Sequence, residues 1–322
     1  MDERIPVFEL NRGSGELLRG VAIFYVLLGH TGYIEWGGAA GVVLFLILSG
    51  FGIDQSCQKH GMERYWQKRL QRVWLPYIPI GLIGIMMKRV YNPGGIICTI
   101  LGLDFNRIAD KTMWFVSYVL FWYAAYCILT CILCKVRKGK LKSMTMLAGL
   151  LLFGFFIRWL YTKGIVWHEN SGADNYFFCF PLGVALSELS RVRIQRSGRI
   201  ILWAVFTFLC LTYVMRVYPR AAHVPTMAAM GLFPVFALQC IKIKGKTAFF
   251  FRWFGRYSYP IYLFEGLVLE KRMVWFAPLG AQVLIDLAFI VITTCISVLY
   301  WDGVFKPMLS LLGVQSRADH EA

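Results

Sequence analysis

Arg19 and His30 are the first residues whose types and spacing suggest chemistry. They end the apolar stretch RGVAIFYVLLGH, eleven residues apart. At 100° per residue that is three turns and about 20°, so both side chains project from one helix face. Their axial separation is about 16 Å. An imidazole can move a proton or act as a nucleophile. Ionisable groups are expensive inside a bilayer and mark function by default, although a lone intramembrane His also serves as an interhelical hydrogen bonder. Spacing alone leaves both roles open. Glu188 and Asp286 lie in or near apolar runs, and an interhelical hydrogen bond is the default expectation for each. Cys127, Cys131 and Cys134 share a helix face, but no second Cys/His group complements them, so they read as small packing residues. His60, His168, His223 and His320 are scattered, and no metal site is expected. HExxH, GxxxxGK[ST] and GxGxxG patterns are absent. The segment Trp167–Asp174 is polar and aromatic, either a sugar-facing surface or, more simply, a solvated loop.

The elements that must position these groups are membrane helices. Of the 322 residues, 58% are apolar and 16% charged, with a mean hydropathy of +0.57. A soluble chain carries about 25% charge, so the composition excludes an ordinary soluble enzyme, a disordered chain and a coiled coil. A net charge of +16 would suggest nucleic acid in a soluble chain. Here the basic residues cluster between apolar runs, which points to a membrane and away from nucleic acid. About ten spans of roughly 20 residues are expected, near 19–35, 37–55, 73–91, 113–134, 143–161, 174–190, 199–217, 223–241, 257–276 and 281–303. The ninth carries Glu265 and Glu270. With the N-terminus inside, roughly 24 of the 34 Lys and Arg residues fall on the inner side, so both termini are expected in the cytoplasm. The reading is an all-α polytopic bundle forming one domain over 1–322, with a short tail at 304–322. The first twenty residues lack the layout of a cleaved signal peptide, so the first span is expected to remain. No internal repeat is visible, unlike many transporters. Residues 63–74 set Tyr and Trp against Arg and Lys at helical spacing, a pattern expected to lie along the inner membrane surface.

Several blocks then resemble acyltransferase family 3, integral membrane enzymes that mostly O-acetylate surface sugars. Arg19 and His30 fill its first-span pattern of a basic residue, ten residues and His. GVVLFLILSGF, Gly41 to Phe51, resembles the second-span block ending in Ser-Gly-Phe. RLQRVWLPY, Arg69 to Tyr77, resembles its basic stretch ending in Pro-Tyr. MWFVSY (Met113 to Tyr118) with Tyr123, YFFCFPLG (Tyr176 to Gly183) and YSYPIYL (Tyr257 to Leu263) follow in the family's order. Many members have His just after the last block, whereas this chain has Glu265.

The resemblance implies acyl transfer from a donor such as acetyl-CoA, used as a co-substrate with no tightly bound cofactor. The acceptor would be a hydroxyl of a cell-surface or lipid-linked carbohydrate, and the site the cytoplasmic (plasma) membrane. It implies a catalytic site at His30 and Glu265, with Arg19, Arg69, Arg72, Ser49, Trp114, Tyr123 and Tyr262 binding donor or substrate. Arg19, Arg69 and Arg72 would hold the phosphates. His30 would act as general base or carry the acyl group itself. Glu265 would handle a proton, fix the His30 tautomer, or pair structurally with a neighbouring Arg or Tyr. Ser49 would donate to substrate or oxyanion, or permit helix packing. A transporter or flippase without transfer chemistry is the alternative class. Membrane lipids are the other expected partners, and the oligomeric state is left open.

Overall fold

The computed structural model describes residues 4–32, 37–89, 92–103, 113–136, 139–166, 173–217, 224–269 and 279–311. The chain opens on strand β1 (Arg4–Pro6) and helix α1 (Arg12–His30). Asn11 caps α1 by accepting the Ser14 amide at 2.8 Å, satisfying a donor that the helix leaves free. Helix α2 (Gly37–His60) stops at Gly61, whose φ of +62° suits glycine at a helix C-terminus. Helix α3 runs Tyr65–Lys88, and α4 (Pro93–Ile100) starts on Asn92 as cap and proline at its first position. Then come α5 (Trp114–Ile132), α6 (Lys140–Thr162), α7 (Cys179–Leu189), strand β2 (Arg193–Gln195) and α8 (Arg196–Val217). The last four helices are α9 (Val224–Cys240), α10 (Gly245–Arg256), α11 (Ser258–Leu269) and α12 (Leu279–Tyr300). A π turn and a last helical segment extend α12 to Leu311.

The all-α expectation holds, apart from a small ribbon in which β1 pairs antiparallel with β2. Six helices among the described residues are long and apolar enough to cross a membrane: Gly37–His60, Tyr65–Lys88, Trp114–Lys135, Lys140–Thr162, Arg196–Val214 and Gln282–Leu311. The other four expected spans fall on α1, which carries Glu16 and Arg19, and on the shorter α7, α9 and α11. Glu270, in the expected ninth span, lies outside the described residues. The segment expected to lie along the inner surface does not stand alone. Its residues from Tyr65 onward are the first turns of α3, with Tyr65 and Arg69 buried, because their rings and stem find partners inside the bundle rather than at headgroups.

Helix α1 is the centre of the packing. Gly29 abuts the backbone of Gly37 and Gly38, while Gly41 abuts Ala22 and Val26, so α1 and α2 run antiparallel in near contact. On its other side α1 meets α10 through two glycines. A Cβ on Gly20 would sit 1.8 Å from the Phe251 carbonyl oxygen, and one on Gly255 would sit 1.8 Å from that of Glu16. Small residues that let backbones approach are the usual adhesive where lipid removes the hydrophobic drive between helices. The N-terminal segment is pinned as well. Phe8 is fully buried between Phe51 at 5.5 Å and Trp203 at 5.6 Å, and Gln239 closes two hydrogen bonds on the Glu9 backbone.

Gly20→Ala must therefore push α10 off α1, an overpacking cost of about 1–3 kcal/mol. Gly52→Ala, where an added Cβ meets nothing within 4 Å, gains helix propensity instead. Thermal unfolding in detergent should show Gly20→Ala lowered by roughly 3–10 °C and Gly52→Ala unchanged or raised. Equal midpoints for the two variants would contradict the α1–α10 contact.

Candidate functional site

His30 ends α1, and its Nδ1 lies 2.6 Å from Glu265 Oε2 on α11. The Glu265 side chain is completely buried, whereas 31% of the His30 side chain is accessible. An ionised carboxylate can only accept, so Nδ1 then carries the proton, and in the neutral ring the lone pair rests on Nε2. That nitrogen faces the start of α2, where a Cβ on Gly38 would come within 3.7 Å of it. Gly38, with no side chain of its own, thus lets the α2 backbone lie beside the ring, while Gly37 abuts Gly29 and the Tyr25 carbonyl on α1. Of the three readings of Glu265, the structure brings it to His30. Tyr262, one turn before Glu265, packs edge-on against Phe115 at 5.7 Å and stacks with Tyr259 at 6.4 Å. Trp114 stacks with Tyr176 at 5.9 Å and meets Tyr118 at 5.6 Å. Both expected aromatic residues therefore belong to a ring-lined layer inside the bundle.

A second cluster forms around the N-terminal half of α1. Arg72 lies within electrostatic range of Arg69, Arg19, Arg12 and Tyr123, and Arg19 within range of Tyr123 and Glu16. Arg69 is buried with its guanidinium over the rings of Tyr65, at 5.6 Å, and Tyr123, at 5.9 Å, a desolvated cation–π arrangement. Arg19 and Arg72 stay exposed. The Tyr65 hydroxyl donates to the Tyr123 carbonyl at 2.8 Å, tying α3 to α5. Arg72 falls within a π turn over Leu70–Trp74, a widened turn that is common at functional sites. The Tyr259 hydroxyl donates at 2.5 Å to the Val73 carbonyl within that turn. The same α11 that carries Glu265 therefore also braces the helix that carries Arg69 and Arg72. Like charges held together with accessible faces make an anion well.

Ser49 is half-buried on α2, eleven residues beyond Gly38 and thus about 16 Å further along the helix. In the antiparallel register it is level with the first turns of α1, on the arginine side and away from the imidazole. An oxyanion formed at His30 is out of its reach at that separation, whereas the other expected roles, donation to substrate near the arginines and helix packing, fit it. Glu188 pairs with Arg191 at 3.2 Å and Asp286 is buried with Gln282 Nε2 at 3.4 Å from both oxygens. Among the described residues no three His, Cys, Asp or Glu side chains converge to hold a metal ion. His168, His223, His320 and the loop 167–172 lie outside the described residues. Sequence reasoning missed Gly38, Arg12, Glu16, Tyr65 and Tyr259. The Gly37-Gly38 doublet was a readable signal of close approach, whereas the others depend on tertiary register.

A family model described as an acyltransferase domain matches residues 14–302, nearly the whole chain. The chain belongs to acyltransferase family 3. No curated protein and no solved structure matches it. As an acyltransferase and a multi-pass membrane protein, it holds Arg19, His30 and the Glu265 helix within the family's match.

The His30–Glu265 contact predicts a ring signature independent of activity. Nitrogen NMR of the neutral His30 ring in the acyltransferase should report a protonated Nδ1 and an unprotonated Nε2. Glu265→Gln should shift the ring toward a mixture of tautomers. An unchanged tautomer in that variant would show that another group orients the ring.

Proposed function

We propose that this acyltransferase moves an acyl group, acetyl in the first instance, from cytoplasmic acyl-CoA to a hydroxyl of a cell-surface or lipid-linked carbohydrate. The observation that carries the reading is the placement of two complementary sites on one helix. An anion well of Arg19, Arg69 and Arg72 stands at one end of α1 and an imidazole with its orienting carboxylate at the other. Their separation of about 16 Å compares with a pantetheine arm, which links diphosphate to thioester over a similar reach. The arginines bind the donor phosphates through charge-assisted bonds, with Tyr123 and Tyr65 setting Arg69. Trp114 and Tyr262 supply apolar walls along the arm or against the acceptor.

At His30, Nε2 accepts the proton of the acceptor hydroxyl as its oxygen attacks the thioester carbonyl. The C–S bond then breaks, and the departing thiolate takes up the proton from the imidazolium. In the second route Nε2 attacks the carbonyl first and expels the thiolate; the hydroxyl oxygen then attacks the acyl-imidazolium, the C–N bond breaks to restore the neutral ring, and the hydroxyl proton passes to the thiolate. Glu265 serves both by holding Nδ1–H and stabilising positive charge on the ring. The reading takes ten alternating passages with both termini in the cytoplasm, where the donor is made, as the distribution of Lys and Arg suggests.

Purified protein in lipid nanodiscs with labelled acetyl-CoA tests the reading. His30→Ala should lose transfer by about 1,000-fold or more, and Glu265→Gln should lower kcat by roughly 100–10,000-fold with little change in donor KM. Arg19→Ala, Arg69→Ala and Arg72→Ala should each raise donor KM about tenfold or more. Full activity in His30→Ala, or donor KM unchanged in all three arginine variants, would refute the assignment.

A further inference from the structure

The ribbon at the start of the chain forms a second cationic feature that acyl transfer does not use. Its register pairs Arg4 with Gln195 and Pro6 with Arg193. Residues that pair across a ribbon share a face, so Arg4, Gln195, Pro6 and Arg193 all stand on one side and Ile5 and Ile194 on the other. The two arginines are diagonal neighbours, about 7–8 Å apart at the backbone. That spacing lets both guanidiniums reach one phosphate group. They border an open, shallow basin whose lining also includes Gln195, Gly198 and Leu202, with Ile194 at its edge between Arg193 and Gln195. Nearby Arg199 and Arg191 are already matched to carboxylates, Glu9 and Glu188, each at 3.2 Å. No carboxylate among the described residues pairs with Arg4 or Arg193.

The depth of the basin identifies its occupant. Gly198 and Leu202 belong to the first turns of α8, whose apolar run Arg196–Val214 is one of the six candidate spans. Nineteen residues rise about 28 Å, close to the roughly 30 Å of a bilayer's hydrocarbon. The basin at its polar end thus lies at the level of lipid headgroups. Below it, Ile201 and Phe208 are 63% and 64% exposed, an apolar wall open to acyl chains. On the far side the ribbon is fastened to the bundle, with the Trp203 indole donating to the Val7 carbonyl at 2.6 Å.

We infer that this basin binds an anionic glycerophospholipid. The headgroup phosphate lies between Arg4 and Arg193, hydrogen-bonded also by Gln195, and an acyl chain runs past Leu202 along α8. A headgroup with net negative charge is required, since a choline or ethanolamine ammonium would meet two guanidiniums. The lipid stabilises the protein by bridging the ribbon to the start of α8, and this holds whether or not the acyl-transfer reading stands.

Thermal unfolding of the delipidated full chain, titrated with phosphatidylglycerol or phosphatidylcholine of the same acyl length, tests it. Phosphatidylglycerol should raise the midpoint by about 3–5 °C and phosphatidylcholine by less than about 1 °C. Arg4→Gln/Arg193→Gln should lose most of the phosphatidylglycerol shift, and each single variant about half. Lys163→Gln, at the far end of α6, should keep all of it. Both arginines are exposed, and circular dichroism checks that the variants fold; if the double variant does not, the single ones decide. Equal shifts from the two lipids, or an undiminished shift in the glutamine variants, would overturn the site. The same shift from inorganic phosphate alone would overturn its assignment to lipid.

Discussion

An α-helix cannot stretch, and α1 carries an arginine toward one end of the bundle and a histidine at the other. The rise per residue fixes their distance, and the 3.6-residue period fixes their common face. Any substrate engaging both must span that length with a charged group at one end and a reactive group at the other. The remaining helices hold α1 still. Glycines press it against α2 at one side and α10 at the other, so α1 can neither tilt nor slide against these neighbours without breaking backbone contacts.

A carboxylate taken out of water costs several kcal/mol unless it is paired, so the full burial of Glu265 needs a partner. The imidazole of His30 supplies one, and a hydrogen bond to a charged group is worth about 1.5–3 kcal/mol. The same bond fastens α11 to α1 and sets the ring's tautomer. Tyr259 on α11 reaches α3 at the π turn, so one short helix links the histidine to the helix that bears two arginines. Stability and positioning therefore share the same contacts.

Much of this was legible from local pattern. Helical periodicity placed Arg19 and His30 on one face, and apolar length marked α2, α5, α6, α8 and α12 as helices able to cross a bilayer. Pairing of Glu265 with His30 stood among the expected roles, but choosing it needed two residues 235 positions apart to be brought together. The β1–β2 ribbon was not legible, since three-residue strands show no alternation and their partners lie about 190 residues apart. Residues 63–74 have the pattern of a surface helix, yet stacking of Tyr65 with Tyr126 at 6.4 Å draws the segment into the bundle. The level of Ser49 was not legible, because a motif gives chain order and not depth; the antiparallel register of α1 and α2 sets it. Among the described residues α7 and α11 run to 11 and 12 residues, shorter than the spans that hydropathy marks around them.

The most direct measurement is an experimental structure of the acyltransferase with a non-hydrolysable acetyl-CoA analogue in which the thioester sulfur is replaced. The account predicts the diphosphate among Arg19, Arg69 and Arg72. It also places the carbonyl carbon near the imidazole, within about 3.5 Å of either His30 Nε2 or an acceptor oxygen bonded to it. Phosphates bound elsewhere, or a carbonyl left at the arginine end of α1, would contradict it.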